Sequence, residues 1–115
     1  LATPHLPHGW DAGHLYDETT RVLLCSDLLN QAGDPAPVTE ESVVGGMRDF
    51  IVAQRDTPLD RYFAWSPRCR EEVERLVVLQ PAMCATMHGS VVAGDGGAEL
   101  LAMADMLDEE YAVPM

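Results

Sequence analysis

Five side chains in this sequence of 115 residues could do chemistry together. They are His5, His8 and Asp11 in "TPHLPHGWDAG", Asp27 in "LLCSDLL", and His88 in "MHGS". Neutral imidazole and ionised carboxylate are ligands that zinc, iron and manganese accept. His8 stands in an opening segment broken by Pro4, Pro7, Gly9 and Gly13, so neither a helix nor a core strand is expected there. Asp27 ends one short apolar run, and His88 ends another just before Gly89 and Ser90. Groups at the ends of rigid strands keep their geometry, whereas groups on free loops lose ordering entropy when they engage a ligand. Such a set suits a divalent cation.

Each residue also has a plainer reading. A loop histidine is commonly solvated or bonded to backbone, an aspartate after a strand commonly opens a turn, and a histidine before Gly-Ser can begin a helix. His14 falls within a hairpin arm and reads as structural. Trp10 either walls a site or packs. Cys25, two residues before Asp27, shares that residue's side of the strand and reads as a small buried apolar group.

In combination the motifs "PHLPHGWDAG", "LLCSDLL" and "MHGS" resemble the second half of a metallo-β-lactamase-fold metallohydrolase. The spacings of 19 residues from His8 to Asp27 and 61 from Asp27 to His88 are similar to those of its diiron flavoprotein branch, as is an aspartate three residues after the first histidine. The resemblance implies an α/β fold in which residues 1–115 are the C-terminal αβ half of an αββα sandwich. It implies that His8 binds one metal, Asp27 bridges two, and His88 binds the second. His5 would then bond to a ligand or face substrate, and Asp11 would orient His8 or open a turn. The cofactors implied are two divalent ions, zinc or iron, and the implied reaction is hydrolysis by metal-activated water. With iron, the same cage would handle dioxygen or nitric oxide.

The family's first metal signature, H-x-[H/E]-x-D-H, is absent from this sequence. The resemblance therefore implies a fragment whose N-terminal half comes from elsewhere, an expectation that the start at Leu1 without methionine reinforces. One half alone would present an apolar sheet face to a partner or to a second copy. A reading from another class is a non-catalytic αβ interaction module.

Bulk properties narrow the alternatives. Apolar residues make up 47% of the chain, enough for a core. Acidic residues outnumber Lys and Arg by 19 to 7, and a net charge of −12 repels phosphate backbones, which disfavours nucleic acid as a partner. Cys25, Cys69 and Cys84 lie far apart, as expected of reduced thiols in a cytoplasmic protein. No apolar run approaches the roughly 18 residues of a membrane helix, and no targeting peptide is evident. A small-molecule substrate remains the expected ligand.

The elements that must position these groups are legible from periodicity. Residues 12–26 read as a hairpin with arms "HLYD" and "RVLLCS" around the turn "ETT". Thr39 reads as the cap of a helix over residues 40–55 with its stripe at Val43, Met47, Phe50, Ile51 and Gln54, weakened by Gly45 and Gly46. Ser66 and Pro67 open a second helix, to about Leu79, that buries Cys69, Val73, Leu76 and Val77. "AMCATM" reads as a short buried strand leading to His88. A last helix starts after Asp95, runs to about Glu110 and buries Leu100, Leu101, Met103, Ala104 and Leu107. The expected order is strand, strand, helix, helix, strand, helix.

Overall fold

The computed structural model describes residues 2, 6, 13–58 and 65–111. Their elements run β1 (Leu15–Asp17), β2 (Val22–Leu24), β3 (Val38–Thr39), α1 (Val44–Ala53), α2 (Pro67–Val78), β4 (Met83–Ala85), β5 (Val91–Ala93) and α3 (Gly96–Glu110). The strands form one sheet of five in the order β1-β2-β4-β5-β3. Among the described residues the fold is a mixed α/β arrangement with three helices.

The hairpin forms as its sequence dictates. Leu15 pairs with Leu24 and Asp17 with Val22 in antiparallel register. The Asp17 carboxylate accepts the N–H of Thr19 at 2.9 Å, which closes the turn that the acidic and threonine residues favour. The Tyr16 hydroxyl donates to the Leu79 carbonyl at 3.0 Å, fastening the hairpin to the end of α2. β2 and β4 then pair in parallel with Leu23 opposite Cys84, β4 and β5 run antiparallel, and β3 adds in parallel to β5.

One set of alternate strand residues is buried. Leu23, Cys84 and Val92 join Met47 and Ile51 of α1, Cys69, Val73 and Leu76 of α2, and Leu100, Met103 and Leu107 of α3 in a single core. The other set includes Leu15 and Val38, both well exposed, so no described helix covers that face. Period-two alternation thus assigns each strand residue to a covered or an open face.

Helices α2 and α3 start where their caps require. The Ser66 hydroxyl accepts the Cys69 N–H, with Pro67 at the first helical position, and the Asp95 carboxylate accepts the Ala98 N–H at 3.0 Å. Arginines on α1, just past its end and on α2 reach acids near the end of α3. Arg48 pairs with Glu109 and Glu110, Arg55 with Glu110, and Arg70 with Asp105 and Asp108. Exposed pairs of this kind each contribute about 0–1 kcal/mol, so apolar contacts supply most of the cohesion.

Three expectations need correction. Thr39 does not cap a helix. Its backbone pairs with Val92 of β5 while its hydroxyl accepts the Glu41 N–H at 3.1 Å. Helix α1 therefore starts at Val44 without a side-chain cap. β3 and β5 were not expected, because two and three residues are too few to show a period. Leu101 lies one position off the buried stripe of α3 and is exposed, and Met106 is buried in addition.

Leu100→Ala, at a fully buried site, is expected to cost about 2–5 kcal/mol. Val78→Ala, where the side chain is 79% exposed, should stay within about 0.5 kcal/mol. Urea unfolding of both variants checks the contrast. Hydrogen bonding by Thr20, with the N–H groups of Thr19 and Thr20, holds the Asp17 carboxyl below its ordinary value of 3.8. A carboxyl lowered on folding contributes stability above its unfolded pKa and loses it as pH falls through the folded value. Stability measured against pH should therefore show wild type and Asp17→Ala converging at acid pH and separating above it.

Candidate functional site

The strand register delivers the site. Leu24 stands opposite Ala85 in the parallel β2–β4 pair, and Asp27 and His88 each follow three residues later. Two residues far apart in sequence thereby reach the same rim, with His88 Nε2 3.8 Å from Asp27 Oδ1. The carboxylate side chain is 15% exposed and the imidazole 64%, so the aspartate is sheltered and the histidine stands at the mouth. The carboxyl ends of strands in open α/β sheets are where ligands commonly bind.

The turn that presents Asp27 is tightly held. Past β2 the Cys25 N–H donates to the Ala85 carbonyl at 3.0 Å, and the Met87 N–H to the Ser26 carbonyl at 2.8 Å. Ser26 and Leu29, flanking Asp27, adopt left-handed backbone with φ of 50° and 62°. Non-glycine residues in that region cost on the order of 1–3 kcal/mol and persist where surroundings enforce them. Here the enforcement comes from Leu28 and Leu29, both fully buried. The Asn30 amide donates to Asp27 Oδ1 at 3.4 Å, and the Thr86 hydroxyl lies 3.1 Å from Asn30 Oδ1.

Gln31 joins this turn to the one carrying His88. Its backbone N–H donates to the His88 carbonyl at 2.8 Å. Its side-chain amide donates to the Leu29 carbonyl at 2.6 Å and accepts the Ser90 N–H at 3.1 Å. Gly89 has φ +127°, and a Cβ there would meet the Gln31 amide at 2.7–2.8 Å, so only glycine fits beside it. Around these turns opens a cleft of about 690 Å³, lined by Asp27, Asn30, Gln31, Phe50, Met87 and His88 among others. Polar groups converge on one side and Phe50 and Met87 supply apolar wall, the composition usual for a small-molecule site.

Of the residues singled out from sequence, Asp27 and His88 come together. His5, His8 and Asp11, with Trp10, lie outside the described residues. His14 and Cys25 are buried. The Cys25 thiol is raised well above its ordinary value, by its hydrogen bond with Cys84 and by burial, and stays protonated. A protonated thiol is a poor metal ligand. Asn30, Gln31, Phe50 and Met87 were not anticipated as site residues. The amides in "LLNQAG" were the available signal, since two polar side chains directly after a buried leucine pair need partners.

Among the described residues no group of three or more His, Cys, Asp or Glu side chains could hold a metal ion. Asp27 and His88 alone do not fill a tetrahedral shell, and two donors do not fit a pair of divalent ions.

A scan against protein-family models gives no match, and a search of the curated proteins gives none either. Among solved structures, the fold is similar to "Apo state of chemotaxis sensor ODP from T. denticola", with a TM-score of 0.58 and 21% sequence identity. The match covers 82% of this chain and 38% of that one. At this identity the likeness shows fold alone.

These findings correct the functional expectation. The likeness runs to a chemotaxis sensor rather than to a metallo-β-lactamase-fold hydrolase, and the described side chains form no metal-binding group. The assignment to that superfamily, and the description as a dinuclear zinc or iron hydrolase, are therefore withdrawn. The physical reason is that short motifs such as "SD" and "HG" record where a strand ends and turns, which many α/β folds require. No described helix is long and apolar enough to cross a membrane.

Cys25, Cys69 and Cys84 are all buried. In native protein they should resist an aromatic disulfide reagent, and all three should react at once in denaturant. Rapid native labelling of Cys25 would contradict the placement beneath Asp27.

Proposed function

We propose that this chain is a non-catalytic, sensor-type module that takes a small molecule at the strand-rim cleft. The observation that carries the reading is the meeting of the sheltered Asp27 carboxylate and the exposed His88 imidazole, 3.8 Å apart, at a cleft with apolar walls. The fold's likeness to a chemotaxis sensor supports it. The carboxylate would accept hydrogen bonds from the ligand, the imidazole would close over it, and Phe50 and Met87 would bury its apolar part. Because the matched region is 38% of the sensor chain, the partner that receives the signal belongs to the proposal too. The open sheet face with Leu15 and Val38 is compatible with such a contact.

Chemical-shift mapping tests this with a panel of small amines, amides and imidazoles, together with zinc or ferrous ion alone. A binder should move the resonances of Asp27, Asn30, Gln31, Phe50 and Met87 to Gly89. His88→Ala and Phe50→Ala should each weaken it about tenfold, or about 1.4 kcal/mol. Hydrolytic turnover lost in Asp27→Ala would overturn the non-catalytic reading. Tight binding of two metal ions lost in both Asp27→Ala and His88→Ala would overturn it as well.

A further inference from the structure

The sequence places a glycine pair, Gly45-Gly46, inside α1, where glycine weakens a helix. Gly45 has open space around it, but Gly46 does not: a Cβ there would stand 3.1 Å from Gln31 Cγ and 3.5 Å from Gln31 Cβ. On the other side of the same side chain, a Cβ on Gly89 would stand 2.7–2.8 Å from the Gln31 amide. The Gln31 side chain is thus seated between two glycines, one on α1 and one on the turn beside His88. Its two side-chain hydrogen bonds and its backbone bond to His88 leave it little freedom. Phe50, one helical turn beyond Gly46, lines the same cleft.

We infer that Gln31 is the positioning residue of the rim cleft: lodged between Gly46 and Gly89, it sets where His88 stands and transmits displacement of the His88 turn to helix α1. A ligand that moves His88 would move the His88 carbonyl and the Ser90 N–H, both bonded to Gln31, and a displaced Gln31 would change its close approach to the bare backbone of Gly46. The regulatory meaning of this connection rests on the sensor reading. The connection itself does not, because it can be tested without ligand.

The experiment is NMR on the ligand-free full chain, comparing wild type with Gln31→Ala, Gln31→Glu and Gly46→Ala. Gln31→Ala should accelerate exchange of the Ser90 amide at least tenfold and shift His88, Gly46 and Phe50 resonances together, while the β1–β2 ladder keeps its protection. Gln31→Glu keeps an acceptor for the Ser90 N–H but loses the donor to the Leu29 carbonyl, so it should protect the Ser90 amide better than Gln31→Ala does while falling short of wild type. Gly46→Ala crowds Gln31 from the helix side and should shift His88 and Ser90, no atom of which the added Cβ would meet within 4 Å; a role confined to local packing would leave them still. If Gln31→Ala does not fold, the Gly46→Ala comparison decides. Unmoved His88 and Ser90 resonances in folded Gly46→Ala, or a Ser90 amide still protected in Gln31→Ala, would overturn the inference. A cleft that binds nothing would instead sink the sensor reading and leave this connection standing.

Discussion

The parallel pairing of β2 with β4 is the constraint on which the site depends. Its register, Leu24 against Ala85, sends the chain off the sheet at two neighbouring points. The next residues on both strands continue to bond across the gap, from Cys25 to Ala85 and from Met87 to Ser26. By the time Asp27 and His88 are reached, their separation is already set by backbone geometry. A slip of one residue would turn Leu23 and Cys84 out of the core. Burial of those two side chains therefore fixes the position of polar groups that never enter the core.

Much of this was legible in the sequence, for identifiable reasons. The hairpin, α2 and α3 carry local signals strong enough to survive without context: a threonine turn after Asp17, Ser66 before Pro67, and Asp95 before a helical run. The strand ends that bear Asp27 and His88 were legible for the same reason, since an apolar run followed by a turn former marks a boundary whatever the fold.

What was not legible depends on tertiary partners. Thr39 has the composition of a cap, yet β5 captures its backbone, and nothing in "PVTEES" announces that. β5 itself is three residues long, and its existence depends on β4 beside it. Gln31 looks like one more loop polar residue; its role appears only once Gly46 and Gly89 close on it from elements distant in sequence. The family resemblance failed differently. It read a constellation from residues that mark turns, and its remaining members, His5, His8 and Asp11, fall outside the described residues.

On and beside the helices, Arg48, Arg55, Arg70 and Arg75 pair with carboxylates. A chain with 7 basic and 19 acidic residues has few cations left for the rest of its surface. The surplus carboxylates repel one another through solvent, over a range that physiological salt shortens to about 8 Å. Ionic strength thus acts on two opposed quantities, the attraction within exposed ion pairs and the self-repulsion of a polyanion. The first is small where both side chains are open to water, as in Arg48–Glu109 and Arg70–Asp108, and there added monovalent salt relieves more repulsion than it removes attraction. The same excess would hasten encounters with positively charged surfaces and keep like-charged copies apart.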